Sequence, residues 1–246
     1  MSTTFSEAER AYLTAVGERA MARLDAVPSK HGKRPGLALA LAAERLAALG
    51  DEMAPIFPAM AAAGTPVACA KGCGSCCTLT IDTTPDEVFG LIRHLEASLP
   101  PDALAALKER ARTADAQGHG VPALARHRLK ISCPVLDPET QDCLGHAARP
   151  TGCQGYLSLN LARCLANHET SAELIPQPTV AALLRDIVLE ARRRVLAAAG
   201  LATPALELTA ALVAAWADPA AEQRWLDGES VLGEAAMPGS LSASNE

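Results

Sequence analysis

"CAKGCGSCC", residues 69–77, places four cysteines within nine residues, the last two side by side. Four more follow at Cys133, Cys143, Cys153 and Cys164, with gaps of nine, nine and ten residues. Thiolates are soft ligands that select zinc, copper(I) or iron–sulfur clusters. The short gap from Cys73 to Cys76 lets two sulfurs reach one tetrahedral centre from a single turn. Gly72 and Gly74 allow the loop to fold tightly, so that its N–H groups can point at sulfur.

The vicinal pair sets the topology. Consecutive side chains face opposite ways on an extended chain and lie about 100° apart on a helix. Cys76 and Cys77 therefore do not readily serve one mononuclear ion. One is expected to face the first loop and the other the segment 133–164, giving two neighbouring sites or one polynuclear site sewn from both blocks. Four thiolates on a dication leave two negative charges, which Lys71, Arg149 or Arg163 could offset. The alternative is a set of buried, inert thiols. That account suits Cys164 alone, in the helix-like "SLNLARCLANHE", and suits the glycine-rich loop poorly.

Hydrophobic residues make up 49% of the 246-residue chain and aromatics only 3%. A core of Ala, Leu and Val favours closely packed helices over sheets. The expected architecture is mainly α, a helical shell around a loop-rich cysteine and metal core with at most one or two short strands. A net charge of -6 gives no electrostatic case for nucleic acid. The basic runs "RHRLK" (126–130) and "ARRR" (191–194) read as solvated helix faces. The apolar stretch 195–217 is broken by Gly200, Pro204 and Glu207, so no membrane span is expected. The N-terminus has no basic start followed by an apolar run, and eight cysteines without a secretory signal point to a reducing, cytoplasmic setting.

Four segments are expected: a helical N-terminal segment 1–64, a cysteine-cluster core 65–170, C-terminal helices 171–232, and a disordered tail 233–246. "SEAE" opens the first helix as a capping box, with Ser6 as cap and Glu9 reaching back, and Pro28 closes it. A second helix spans about 37–48. "TLTIDT" (78–83) reads as a short strand. Thr84, Pro85 and Glu87 then form a second box-like helix start. Further helices are expected over about 101–117, 122–131 and 204–217, and around Trp225. Val180, Leu184, Val188, Ala191 and Val195 lie on one apolar stripe.

Other chemistries fit less well. Cys69, Cys73 and Cys76 match the C-x3-C-x2-C spacing of radical S-adenosylmethionine enzymes. Those enzymes resemble a barrel of alternating strands and helices, which this helical pattern does not. A thiol–disulfide enzyme built on Cys73 and Cys76 lacks its strand–helix–strand setting. His146, His168 and His127 read as hydrogen-bonded or solvent-facing, with His146 the first candidate for a ligand. Asp137 and Asp142 read as turn formers. Arg149, before Pro150, reads as a structural anchor. No nucleophile–base pair, phosphate loop or acidic dyad names a reaction.

Taken together, "VACAKGCGSCC" followed by "PDEVFGLIRHL", and then "CPVLDPETQDCLGHAARPTGCQGYLSLNLARC", resemble the zinc- or iron-chelating cysteine-cluster family named for its CxxCxxCC motif. The resemblance spans roughly residues 65–165 and gives all eight cysteines a counterpart. It implies a metal ion or iron–sulfur cluster held by these residues, and little about activity, although related clusters occur in some flagellin lysine methylases. Gln154 stands where many members have Arg, and His146 where an aromatic precedes the Arg-Pro. The functional expectation is a cytosolic protein holding an iron–sulfur cluster or zinc or iron ions through eight cysteines, with the metal as partner. The alternatives are an iron–sulfur enzyme in electron transfer or methylation-related chemistry, and a purely structural zinc protein.

Overall fold

The computed structural model describes residues 5–171 and 175–237. Ser6 starts α1 (Glu7–His31) with the expected capping box: its hydroxyl accepts from the Glu9 N–H, and Glu9 accepts from the Ser6 N–H. The helix does not stop at Pro28 but runs one turn further to His31. A proline in the last turn forfeits a single intrahelical bond, so it ends nothing there. Helix α2 (Leu37–Met53) is longer than the periodicity predicts, and α3 (Ile56–Ala62) is a short exposed turn of helix.

The cysteine loop then leads through a 3-10 turn at Ser75–Thr78 to β1 (Asp82–Thr83). The expected strand 78–83 is thus mostly absent, because the vicinal cysteines coil its first residues. Next come α4 (Pro85–Ser98), α5 (Pro101–Gly118) and α6 (Ala123–Arg128). Irregular chain carries Cys133 and Cys143 to α7 (Thr151–Gly155), α8 (Leu161–Thr170) and the long α9 (Thr179–Ala198). Strand β2 (Leu206–Glu207) pairs antiparallel with β1, and α10 (Leu208–Ala217) and α11 (Ala221–Leu226) follow. Mainly α, with one two-stranded sheet, is the observed class. Among the described residues no helix is long and apolar enough to cross a membrane.

Two apolar clusters hold the helices. In one, Val16, Ala20 and Leu24 of α1 meet Leu49 of α2 and the predicted stripe of α9, through Leu184, Val188, Ala191 and Val195. In the other, α2 and α4 pack with α10 and α11 around the fully buried Trp225. Helices α2 and α4 approach closely at Gly90, where a Cβ would lie 2.7 Å from the Ala38 carbonyl oxygen. The chain is ordered past the expected start of the tail. Residues 233–235 form a 3-10 turn, and Ala236 bridges to Leu206. The rest of that tail, 238–246, lies outside the described residues.

The two basic runs are not simply solvated. Arg126 and His127 are buried, and so is Arg192, whereas Arg193 and Arg194 stay outside and pair with Glu190. Each buried cation has found an acceptor that its run does not contain. Arg126 meets Glu207 at 3.0 Å and Thr209 at 2.8 Å, and Arg192 meets α4. The helix start at Thr84 also departs from expectation. Thr84 makes no side-chain cap; its hydroxyl donates to Asp86 and accepts from Arg192. Glu87 is drawn instead into a buried ionic cluster.

Candidate metal centre

The first cysteine block is a loop bent by Gly72 at φ +79°. Its short bonds, Cys73 N–H to the Ala70 carbonyl and Cys77 N–H to that of Gly74, coil the four cysteines into about two turns. Gly74 packs closely on the second block: a Cβ there would lie 2.7 Å from Gln141 Oε1 and 3.0 Å from Leu136 Cδ2. That contact seats the first block on the second. Lys71 adds an ion pair to Asp142 at 3.2 Å, so its charge is spent between the loops and not on sulfur.

The second block begins as a hairpin-like turn. Leu136 bridges to Cys143, Leu144 N–H donates to the Val135 carbonyl, and Asp137 N–H donates to that of Asp142. Asp137 closes the turn by accepting from the N–H groups of Glu139 and Thr140, both at 2.9 Å, in the turn-forming role expected of it. Leu136 faces Cys143 across the turn, and Cys133, three residues before Leu136, is also a near neighbour of Cys143. The Cys133 N–H reaches back to the Cys77 carbonyl at 2.6 Å, which joins the two blocks.

Main-chain donors converge on the sulfurs. Ser158 N–H donates to Cys69 Sγ at 3.3 Å. The N–H groups of Val135 and Leu136 favour a thiolate at Cys133, and that of Gly145 does so at Cys143. Such donors stabilise sulfur that carries negative charge. Burial acts the other way in the free thiols: it pushes Cys133 up to about 12, and also raises Cys143, Cys153 and Cys69. Cys133 and Cys153 are partly accessible as residues, yet their thiols are surrounded by protein. Cys76 and Cys77 share a hydrogen bond that favours the thiolate at Cys76, with Arg149 adding to it, and holds the proton on Cys77.

All eight predicted cysteines are free thiols, and the fold gathers them into one region. Cys69 has Cys76, Cys164 and Cys73 as its charged neighbours, Cys77 has Cys76, Cys133 and Cys143, and Cys153 has Cys133, Cys143 and Cys76. Among the described residues no three Cys, His, Asp or Glu donors already stand as a coordination sphere.

The histidines are hydrogen-bonded or solvent-facing, as their sequence setting suggests. His146, first candidate in the sequence, is exposed on a 3-10 turn; burial of its ring and the Arg149 charge push its proton affinity down. His168 sits closer to the cysteine loop, with Nδ1 3.3 Å from the Ser75 carbonyl. His127 is buried and structural, bridging Thr78 Oγ1 and the Asn167 carbonyl at 3.0 Å each. Arg149 lies beside Cys76 and Cys143, and its buried Nε has no hydrogen-bond partner among the described residues.

Sequence reasoning missed the buried ionic cluster behind Cys153. Arg45 of α2 meets Glu87 of α4 at 2.8 Å, and Arg192 of α9 meets the same carboxylate oxygen at 3.0 Å. Thr151, at the start of α7, donates to that oxygen from its N–H and its hydroxyl. Arg45 also donates to the Arg149 carbonyl at 3.0 Å. The side chains of Arg45, Glu87 and Arg192 are all 5% exposed or less. Burial alone would raise the Glu87 carboxyl, but Arg192, Arg45 and Thr151 hold it down at about 2. The cluster fixes α7, and so Cys153, against three helices. Its only sequence signal was polar residues on otherwise apolar helix faces.

Eight thiols without a disulfide, one of them already accepting from the Ser158 N–H, suit a thiophilic metal. Residues 68–172 match the family described as CxxCxxCC, "Putative zinc- or iron-chelating domain", and all eight cysteines fall within the match. No curated protein and no solved structure matches the chain. The match takes in the cysteine-bearing centre of the chain and leaves α1, α2 and α9 to α11 outside it.

Proposed function

We propose that this protein holds zinc or iron through the thiolates of its two cysteine blocks, and that the bound metal locks the loop-rich centre into its helical housing. The observation that carries this reading is the gathering of eight free thiols from two distant blocks, joined by the Cys133 N–H to Cys77 carbonyl bond and with the Ser158 N–H already directed at Cys69 Sγ at 3.3 Å. Binding would remove the protons that burial keeps on Cys133 and Cys153, so affinity would rise with pH. Free thiols in this number fit a reducing cytoplasm.

A second reading, an iron–sulfur cluster in place of single ions, is favoured by the vicinal pair. Cys76 and Cys77 occupy a 3-10 turn and their side chains hydrogen-bond to each other, which sets two sulfurs side by side, an arrangement suited to a polynuclear centre. The test is to purify the chain without oxygen, record its visible spectrum, and count zinc, iron and acid-labile sulfide. Brown protein with matching iron and sulfide supports the cluster; colourless protein with stoichiometric zinc supports single ions. Metal-free protein, or full metal content in Cys73→Ser, refutes the proposal.

A further inference from the structure

Helix α8 lies over the cysteine loop, yet it buries none of its own residues. Its two leucines, Leu161 and Leu165, stand one turn apart and are 46% and 48% exposed. Hydrophobic burial therefore contributes little to holding this helix down.

What holds it is a row of polar contacts along its inner face. His168 Nδ1 lies 3.3 Å from the Ser75 carbonyl oxygen, on the 3-10 turn that carries Cys76 and Cys77. One residue earlier, the Asn167 carbonyl meets Nε2 of the buried His127 at 3.0 Å, and the other nitrogen of that ring meets Thr78 Oγ1. Just past the helix, Lys130 donates to the Ser171 hydroxyl at 3.1 Å. Each such bond is exchanged for one with water when it parts, so each holds only modestly. Cys164, four residues before His168, lies on the same face of the helix.

The base of the segment is fixed more firmly. Ser158 is buried; its carbonyl accepts from the Ala68 N–H at 2.8 Å, and its N–H donates to Cys69 Sγ. Leu159 N–H donates to the Pro176 carbonyl at 2.9 Å, which ties the chain before the helix to the chain after it. The helix also carries its own N-cap, because Asn160 Oδ1 accepts from the Arg163 N–H at 3.0 Å. That cap travels with the helix when the inner-face contacts part, and neither tie need break.

We propose that α8 is a latched lid on the cysteine site. Pivoting on Ser158 and Leu159, it lifts Cys164 away from the first cysteine block and bares the turn of Cys76 and Cys77, the step that admits and releases metal. Segments with few buried apolar contacts open locally while the core stays folded. The lid's role in metal exchange rests on the metal reading, whereas the opening itself stands on the contacts of α8.

The test uses the reduced full-length chain and two variants that cut the latch without touching a cysteine, Lys130→Ala and His168→Ala, and their combination. Amide exchange of the metal-free proteins is followed by mass spectrometry. Exchange across 161–170 should rise by roughly threefold or more in each single variant and by roughly tenfold in the pair, with α4 and α9 unchanged. Zinc ion is then loaded and its transfer to a chromogenic chelator timed; release should quicken by a similar factor at unchanged zinc content. Exchange across 161–170 that matches wild type in all three variants, or that rises equally in α4 and α9, overturns the lid and leaves metal binding intact. Faster exchange with unaltered zinc release overturns its role as a gate. A wild-type chain that binds no zinc overturns the metal reading and the gating with it, while amide exchange still decides the hinge.

Discussion

The N–H of Cys133 donates to the carbonyl of Cys77 at 2.6 Å, across 55 intervening residues of chain that hold three helices. This bond makes two cysteine blocks into one site. It is a main-chain bond, so it aligns the backbone of the blocks before any sulfur is engaged. On the proposed reading, metal adds to an arrangement that α4, α5 and α6 have already brought round.

The helical housing should survive metal loss, while the loops should not. The cluster of α1, α2 and α9 contains no cysteine, and in the other cluster Cys133 and Cys143 only pack at the margin. Stripping metal under reducing conditions should leave far-ultraviolet circular dichroism nearly unchanged. Amide exchange should accelerate in 69–78 and 133–168 and stay slow in α2, α4 and α9. Global unfolding on chelation would show that the metal, and not the apolar core, holds the fold.

Removing the shared carboxylate should be costly. Glu87→Ala leaves Arg45 and Arg192 facing each other without their common anion, and breaking a buried pair this way costs roughly 3–5 kcal/mol. Denaturant unfolding of Glu87→Ala against wild type measures it. A loss below about 1 kcal/mol would mean that water or other groups compensate.

The same residue sets an acid limit. Glu87 is held at about 2 in the folded chain, below its usual 4.5, so its stabilising contribution is complete above about 4.5 and is lost as pH falls towards 2. Stability measured by denaturant titration should decline across that window. In Glu87→Gln the decline should be shallower, since no proton is taken up there. Parallel curves for the two proteins would remove Glu87 from the account.

Two glycines should respond oppositely to alanine. At Gly90 the new methyl meets the Ala38 carbonyl oxygen at 2.7 Å, a main-chain atom that cannot rotate away, so Gly90→Ala should destabilise by about 1–3 kcal/mol. At Gly17, inside α1, the nearest neighbour is Ile187 Cγ2 at 3.6 Å, ordinary contact. Gly17→Ala should therefore stabilise by up to about 1 kcal/mol through helix propensity. Thermal midpoints of the two variants give the comparison. Gly90→Ala melting with wild type would show that α2 and α4 can part at little cost.

The helices were legible because apolar spacing and local caps decide them: Ser6 with Glu9, and the stripe Val180 to Val195, read directly from neighbours in sequence. The gathering of the two cysteine blocks was legible from their spacing and from the glycines between them. What escaped were side chains whose partners lie far along the chain. Glu87 reads as a capping-box acid three residues from Thr84, yet a competing pair of buried arginines takes it. Arg126 and Arg192 sit in basic runs that look solvated, and only the tertiary fold supplies Glu207 and Asp86. His146 and His168 could not be ranked either, because helix phase and turn direction decide which one faces the Ser75 carbonyl.

The ionic cluster also imposes an order on biosynthesis. A chain made from its N-terminus delivers Arg45, Glu87, Thr151 and all eight cysteines before Arg192 exists. Until α9 leaves the ribosome, the Glu87 carboxylate has a single cationic neighbour, and α1 has only one of the two helices it packs against. The nascent protein therefore presents all eight thiols from an unfinished scaffold, and emergence of α9 supplies the second cation of the cluster that anchors α7.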